Sequence, residues 1–162
     1  MTAKRILVLS DSHMTDAAQL PNSLLLATGD CDRIIHCGDI TSPEIISALQ
    51  ACDPPVSYVL GNMDDPHAFP DAKKSLLFEM CGMKVGVVHG LKASNGPLGI
   101  LKEFDERPDL IFYGHTHRKG ISNYEDTILI NPGSVRKPKD KVRSYAIVEL
   151  TAGEVQPRFV AC

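Results

Sequence analysis

Polar side chains that can bind a divalent cation follow five of the apolar runs in this chain. They lie in the segments Asp11-Ser-His13, Gly38-Asp39, Gly61-Asn62, His89-Gly90 and Gly114-His-Thr-His117. Carboxylate oxygens, imidazole nitrogens and an amide oxygen form a mixed donor set without cysteine, which favours manganese, iron, zinc or nickel over calcium. Any one of these groups alone is common for structural reasons, so the prediction of a metal site depends on their repeated order.

Short apolar strands must position these groups. Six runs are predicted to be strands buried on both faces: Ile6–Leu9, Arg33–His36, Val56–Leu60, Val85–Val88, Leu110–Tyr113 and Ile128–Ile130. In open α/β sheets, ligands gather outside the carboxyl ends of the strands, so residues that are distant in the chain can converge there. A spacing of two also predicts that Asp11 and His13 share one side of an extended segment, and that His115 and His117 do the same.

The remaining pattern predicts an α/β fold. Helix-like stretches cover Pro21–Ala27, Ile45–Ala51 and Pro97–Phe104, and the second of these follows an N-cap serine and a proline at the first helical position. In the C-terminal third, four runs joined by short turns predict an antiparallel sheet: Ile121–Tyr124, Thr127–Ile130, Ser144–Leu150 and Val155–Val160. We therefore expect residues 1–162 to form a single domain, a two-sheet β-sandwich flanked by helices.

Composition and charge narrow the functional class. The 162 residues carry a net charge of −3, which disfavours general nucleic-acid binding. The five cysteines are odd in number and include no C-x-x-C pair, so we expect buried thiols in a reducing compartment. The apolar run near the start is interrupted at Asp11 and is too short for a signal peptide or a membrane span. These observations predict a cytoplasmic protein that does not associate with membranes.

In their order along the chain, these motifs resemble those of the calcineurin-like metallophosphoesterase superfamily, which are D-x-H, G-D, G-N-[HC]-[DE], a histidine that ends a strand, and G-H-T-H. The resemblance extends from Asp11 to Ser134. It is closest to the small bacterial and archaeal phosphodiesterases, which share their fold with the retromer subunit vacuolar protein sorting protein 29. The resemblance implies the four-layer αββα arrangement of that superfamily.

The resemblance also implies two divalent ions per chain. One ion would take Asp11, His13, Asp39 and His117, and the other would take Asp39, Asn62, His89 and His115. Asp39 would bridge the ions, and an anion between two dications about 3.5–4 Å apart is also expected on physical grounds, because the ions otherwise repel strongly. No catalytic residue is implied beyond the metal-bound hydroxide. Manganese is the first expectation, with iron, zinc, nickel or magnesium as alternatives.

The roles of several residues near these motifs are not decided by the sequence, and two interpretations are kept for most of them. Met63 replaces the histidine of the larger phosphatases, and a thioether cannot donate a proton, which points away from demanding monoesters. Asp64 is either a turn or cap residue or a functional acid, and His67 is either a proton donor or an exposed side chain. His36 is predicted to be a hydrogen-bonded core histidine. Two segments are undecided: 131–134 either supports the metal site or is an ordinary turn, and the basic stretch 136–143 either steers anions or is a solvated loop.

The sequence thus predicts a metal-dependent phosphodiesterase that acts on a small phosphoester substrate. The first alternative is a non-catalytic scaffold or protein-interaction module of the same fold, and loss of metal ligands would favour it. A nuclease is the second alternative, but the chain lacks the basic surplus that a nucleic-acid groove requires. The physiological substrate and the oligomeric state are not determined by the sequence.

Overall fold

The computed structural model describes residues 2–162, which form ten β-strands and three α-helices. The strands are β1 Lys4–Leu9, β2 Arg33–His36, β3 Val56–Tyr58, β4 Ser75–Met80, β5 Met83–Val88, β6 Leu110–Phe112, β7 Lys119–Tyr124, β8 Thr127–Pro132, β9 Ser144–Leu150 and β10 Val155–Ala161. The helices are α1 Asn22–Ala27, α2 Pro43–Gln50 and α3 Gly96–Leu101. The strands form two five-stranded sheets, with the order β10-β9-β1-β2-β3 in the first and β4-β5-β6-β8-β7 in the second.

Three apolar clusters divide the molecule into four layers. Side chains on strand β1 alternate: Ile6 and Val8 pack against the second sheet, whereas Leu7 and Leu9 pack against α1 and α2. The second sheet buries its outer face, including Ile111, against Ile100 of α3. The layers are therefore helix, sheet, sheet and helix, which confirms the predicted αββα sandwich.

Each sheet contains three neighbouring parallel strands. In the first sheet, β1 pairs in parallel with β2, and β2 with β3. In the second sheet, β5 pairs in parallel with β6, and β6 with β8. Their carboxyl ends lie at a common edge of the sandwich, where all the predicted metal ligands follow the strands.

The structure differs from the sequence prediction at two places. The C-terminal third does not form one antiparallel sheet, because the hairpin of β7 and β8 joins the second sheet and the hairpin of β9 and β10 joins the first. Strand β4 was not predicted, since it lies at a sheet edge and its outer face is solvated. It pairs with β5 through a two-residue turn at Cys81 and Gly82, whose φ angles of 52° and 74° are those of a type I′ hairpin turn.

The cysteines, the start of α2 and the helix lengths can each be compared with the sequence prediction. All five cysteines are free thiols, but only Cys37 is buried and the other four are partly exposed, so the prediction of buried thiols is wrong for those four. Helix α2 begins as predicted, with the Ser42 hydroxyl accepting the Glu44 N–H at 3.3 Å. Within residues 2–162, no helix is long and apolar enough to cross a bilayer.

Candidate metal centre

Four of the predicted ligands form one compact cluster at the common sheet edge. Asp11, His13, Asp39 and His117 each offer a donor atom, and these atoms all lie within 4.8 Å of one another. His117 Nε2 lies 3.1 Å from Asp11 Oδ1, and His13 Nε2 lies 3.8 Å from the same oxygen. Nitrogen and oxygen ligands lie about 2.0–2.2 Å from a metal such as zinc, so donors about 3–4 Å apart can share one ion.

The other three predicted ligands surround the far side of Asp39. Its Oδ2 atom lies 3.5 Å from His13 Nε2 and 3.3 Å from His89 Nε2. The His89 Nε2 atom is also 3.2 Å from Asn62 Oδ1, and the rings of His89 and His115 have centroids 5.1 Å apart. His89 and Asn62 are therefore near Asp39, and the His115 ring lies beside His89, outside the compact cluster of four.

Most of these ligands sit in left-handed backbone conformations. The φ angles are 53° at Asp11, 42° at His13, 53° at Asp39, 66° at His115 and 57° at His117. The two D-x-H and H-x-H pairs are therefore not extended, as the spacing of two had suggested. Aspartate and histidine tolerate this region better than most residues, and such strain persists where the surrounding structure imposes it, typically at functional sites.

Glycines allow the ligand loops to approach one another. A Cβ atom on Gly114 would collide with the Ser10 hydroxyl and the Asp11 carboxylate, and one on Gly61 would collide with the Asp39 carboxylate. Both glycines directly precede predicted ligands, His115 and Asn62. The glycine in each motif is therefore required for close backbone packing against the neighbouring carboxylate.

Two buried donor atoms in the centre test whether a cation fits. Asp11 Oδ1 and His13 Nε2 are both buried and form no hydrogen bond with any described residue. An unsatisfied buried polar group costs about 1–3 kcal/mol, so such atoms in native proteins call for an explanation. A divalent ion contacting both atoms removes this cost, and the residues present therefore fit a metal.

Charge interactions in the centre shift several pKa values. Burial raises the pKa of the Asp11 carboxyl, but its contacts with His117 and His13 outweigh that effect and place its pKa well below the usual range. Burial likewise raises the pKa of Asp39, and hydrogen bonding to His89 reverses the direction, so this pKa is also lowered. Both carboxylates are charged at neutral pH and can bind a cation.

The histidines respond in different directions. Burial lowers the pKa of His89, but the carboxylates of Asp39 and Asp11 raise it above its ordinary value. Contact with Asp11 raises the pKa of His117. Burial and the nearby His89 ring lower the pKa of His115. In the metal-free protein, protons therefore compete with metal mainly at His89 and His117.

Backbone carbonyls orient two of the histidine rings. His89 Nδ1 lies 2.8 Å from the Cys37 carbonyl oxygen, and His117 Nδ1 lies 2.6 Å from the Lys137 carbonyl oxygen. A carbonyl can only accept, so Nδ1 donates in each case, and the neutral ring presents the lone pair of Nε2 to the centre. Such a partner fixes both the tautomer and the orientation of a metal-binding histidine.

Asp64 has a structural role that its sequence position left open. It is 7% exposed, and its Oδ1 accepts the N–H groups of Ile40 at 2.8 Å and Thr41 at 2.7 Å. Its Oδ2 accepts the N–H of Gly61 at 2.8 Å. One carboxylate therefore joins the loop that carries Asp39 to the loop that carries Asn62.

His36 is a hydrogen-bonded core histidine, as predicted. Its Nδ1 accepts the Gly38 N–H at 3.2 Å, so Nε2 carries the proton that faces the Ser12 hydroxyl at 2.9 Å. Burial lowers the pKa of His36 to about 3, which keeps the ring neutral. The ring connects the loops after β1 and β2 and does not contact the centre directly.

The turn at 131–134 supports the metal centre, which decides the question that the sequence left open. Asn131 Nδ2 donates to the Gly114 carbonyl at 2.9 Å and to the Thr116 hydroxyl at 3.0 Å. The Ser134 hydroxyl donates to the Asp11 carbonyl at 2.8 Å and accepts the Lys137 N–H at 2.8 Å. Both side chains are fully buried. Asn131 and Ser134 were not among the predicted site residues, although they lie at and just beyond the carboxyl end of β8, where the ligands of the other strands are found.

The remaining open residues lie on the surface. His67 is exposed, and its backbone N–H donates to Asp65 Oδ1 at 2.9 Å. Met63 has a side chain that is 60% exposed, while its backbone N–H donates to Asp39 Oδ1 at 2.8 Å. In the basic stretch 136–143, the Lys139 N–H donates to the His117 carbonyl at 2.9 Å, so the backbone of this loop contacts the centre. Whether its charges steer anions stays a prediction.

Comparisons with known proteins give consistent results. The calcineurin-like phosphoesterase superfamily domain matches residues 5–153. A protein of Methanothermobacter thermautotrophicus described as a probable metallophosphoesterase is 36% identical over 156 residues, which cover 94% of this chain and 90% of the relative.

Two solved structures share the fold. Vps29 of Chaetomium thermophilum has a TM-score of 0.79 at 20% identity, covering 98% of this chain and 95% of its own. A structure described as a novel archaeal phosphodiesterase has a TM-score of 0.76 at 21% identity, covering 96% of this chain and 99% of its own. At these identities the likeness concerns the fold alone.

Proposed function

This chain belongs to the calcineurin-like phosphoesterase superfamily. We propose that it is a phosphodiesterase that binds two divalent ions at the centre formed by its Asp and His cluster, with manganese as the preferred ion. The first ion is held by Asp11, His13, Asp39 and His117. The second is held by Asp39, Asn62, His89 and His115. The archaeal phosphodiesterase of the same fold is consistent with this activity.

The position of Asp39 is the observation that carries the proposal. Its Oδ2 atom lies 3.5 Å from His13 Nε2 of the first donor set and 3.3 Å from His89 Nε2 of the second, closer to both than Asp11 Oδ1, which lies 3.8 Å and 3.9 Å from the same two atoms. Two ions about 3.5–4 Å apart need an anion that both can contact. This carboxylate oxygen is near a histidine of each proposed donor set, which supports its role as the bridge.

When bound, the two ions supply Lewis acidity that activates water and neutralises charge on the phosphoryl oxygens. The residues of the chain set the charge and the orientation of the site. Two carboxylates against two dications leave a net charge of about +2, which attracts an anionic phosphoester. The carbonyls of Cys37 and Lys137 hold the rings of His89 and His117 in the tautomer that presents Nε2 to the centre.

Met63 supports diesters over monoesters as substrates. The larger phosphatases that the sequence resembles carry histidine at this position. Here the side chain is an exposed thioether, which cannot protonate a departing alkoxide. Loss of a general acid costs about 10²–10⁴-fold where the leaving group is basic. The chain should therefore prefer diesters whose leaving group is stable as an anion.

The retained donor set argues against a purely scaffolding role, although the fold is shared with Vps29. The buried Asp11 Oδ1 and His13 Nε2 atoms have no hydrogen-bond partner among the described residues, which a cluster that only stabilised the fold would not leave unsatisfied. These atoms favour a centre that binds metal.

Metal titration combined with a substrate comparison tests the proposal. Metal-depleted protein should bind two Mn²⁺ per chain by calorimetry and then hydrolyse bis(4-nitrophenyl) phosphate faster than an alkyl monoester. Asp39→Asn should lower diesterase turnover by about a hundredfold or more, because a neutral amide weakens the bridge. Asp65→Asn, a change of an exposed aspartate nearby, is the matched control. Binding of one ion or none, or near-normal turnover in Asp39→Asn at saturating Mn²⁺, would contradict the dinuclear site.

A further inference from the structure

A cleft of about 360 Å³ opens directly beside the second ligand set. Asn62 and His89 form part of its wall, so a group bound in the cleft lies next to the metal centre. The remaining seven lining residues are Leu60, Gly61, Asp64, Pro66, Lys74, Leu91 and Glu103. Its size falls within the range of about 300–1,000 Å³ that is typical of small-molecule sites.

Three of these residues make the cleft apolar. Leu60 and Pro66 come from the segment around Asn62, and Leu91 follows the His89-Gly90 motif. The Leu91 side chain is 50% exposed although it lies at the entrance to a polar metal centre. A flat apolar ligand that covers Leu91 would remove this surface from water, which is the usual source of affinity in such sites.

Of the three charged side chains in the lining, Lys74 and Glu103 can bind a ligand and have opposite hydrogen-bonding capacities, whereas the Asp64 carboxylate already accepts three backbone N–H groups. Glu103 is held in place because its Oε1 accepts the Lys92 N–H at 3.3 Å, and its other oxygen is available as an acceptor. Lys74 is a donor, and it forms no ion pair with any residue in the range 2–162. A second phosphate would be repelled by Glu103, and a simple alkyl group would leave both charges without a partner.

An apolar slot with one donor and one acceptor at its edge matches a nucleobase, which is a flat ring that carries both kinds of hydrogen-bonding group. We propose that this cleft binds the nucleoside part of the phosphodiester substrate. The ring would pack against Leu91, and its polar edge would contact Lys74 and Glu103. This inference rests on the proposed function, because the phosphate of the same molecule must reach His89 and Asn62.

A kinetic comparison isolates the contribution of the nucleoside. Thymidine 5′-(4-nitrophenyl phosphate) and methyl 4-nitrophenyl phosphate share the leaving group and differ in the substituent that remains. With Mn²⁺, the wild type should show a kcat/KM ratio above about tenfold in favour of the thymidine ester. Leu91→Ala and Glu103→Gln should each lower this ratio by about tenfold. Glu103→Gln keeps an oxygen that can accept the Lys92 N–H, so a fall in the ratio in this variant reports on contact with the ligand and not on the loop.

Leu98→Ala is the matched control, because Leu98 is 43% exposed and lies on α3, away from this cleft. It should leave the ratio unchanged. A wild-type ratio near one, or a ratio that both Leu91→Ala and Glu103→Gln leave intact, would overturn the inference while the diesterase proposal stands.

A binding measurement that needs neither metal nor turnover separates the two proposals. Thymidine added to metal-free protein should shift the NMR methyl signals of Leu60 and Leu91 and leave those of Leu98 in place. If neither diester is hydrolysed but these shifts occur, the proposed function fails and the nucleoside cleft is retained. If the diesters are hydrolysed and thymidine produces no shift at Leu91, the nucleoside cleft is refuted.

Discussion

Replacing Asp64 with asparagine should weaken the metal centre although it removes no predicted ligand. The carboxylate accepts three backbone N–H groups, two on Oδ1 and one on Oδ2, and these bonds join the Asp39 loop to the Asn62 loop. The single side-chain oxygen of asparagine can replace either Oδ1 or Oδ2, but not both. The amide NH₂ group must then face a backbone N–H, and two donors cannot bond to each other.

The expected cost follows from these contacts. A hydrogen bond to a charged group contributes about 1.5–3 kcal/mol, and a buried donor without a partner costs about 1–3 kcal/mol. Because Asp64 is 7% exposed, solvent offers little compensation. We expect Asp64→Asn to lower the free energy of unfolding of the metal-free protein by about 3 kcal/mol. For a domain of this size, that corresponds to a fall in Tm of about 6–12 °C.

Urea unfolding of the metal-free protein and calorimetric Mn²⁺ titration check this prediction. Asp65→Asn is the control, since Asp65 is exposed and its side chain accepts only the His67 N–H among the contacts observed for residues 2–162. Asp64→Asn should also weaken Mn²⁺ binding by about 10–100-fold, as is usual when the support of a metal ligand is removed. An unfolding free energy within about 0.5 kcal/mol of wild type would refute the idea that this carboxylate joins the two loops.

Three further predictions concern the centre. Met63→His should raise the turnover of alkyl monoesters more than that of nitrophenyl diesters, assayed at equal Mn²⁺ occupancy; equal gains on both would argue against a missing general acid. Apparent Mn²⁺ affinity should fall as the pH decreases from about 8 to about 6, because the pKa values of His89 and His117 are raised and protons displace the metal from these rings. Calorimetry in buffers of different ionisation enthalpy should show that Mn²⁺ binding releases protons. An Mn²⁺ affinity that does not change with pH would contradict this prediction. Ser134→Ala should weaken Mn²⁺ binding by about 10–100-fold, because the Ser134 hydroxyl accepts the Lys137 N–H and so positions the residue whose carbonyl orients His117. Ser94 is exposed, and Ser94→Ala should leave Mn²⁺ binding unchanged.

Much of the fold was predictable because the signals were local. The boundaries of β2 agree with the sequence prediction, and the N-terminus of α2 follows from Ser42 and Pro43. Strand β4 was missed because one face of this edge strand is solvated and its turn uses Cys81, which is an unusual residue for a position with positive φ. Whether two adjacent hairpins join one sheet or two is not a local property, and it was predicted wrongly.

The order of strands and polar residues in the sequence was enough to predict a cluster of ligands at one sheet edge, and Asp11, His13, Asp39 and His117 do form one there. Each of the seven predicted ligands follows an apolar strand, and parallel strands bring their carboxyl ends to one edge, so residues from Asp11 to His117 converge. Donor chemistry depends on residue type alone, which is why the class of metal could be inferred before any contact was known.

The way in which the ligands are held depends on the tertiary structure. The left-handed backbone at His13, the carboxylate of Asp64 between two loops and the hydroxyl of Ser134 on the Asp11 carbonyl depend on contacts between segments that are far apart in the chain. A short polar residue in a loop has many partners available to it, and its sequence neighbours do not select among them. The packing of the two sheets selects the partner, because it sets which loops come within hydrogen-bonding distance.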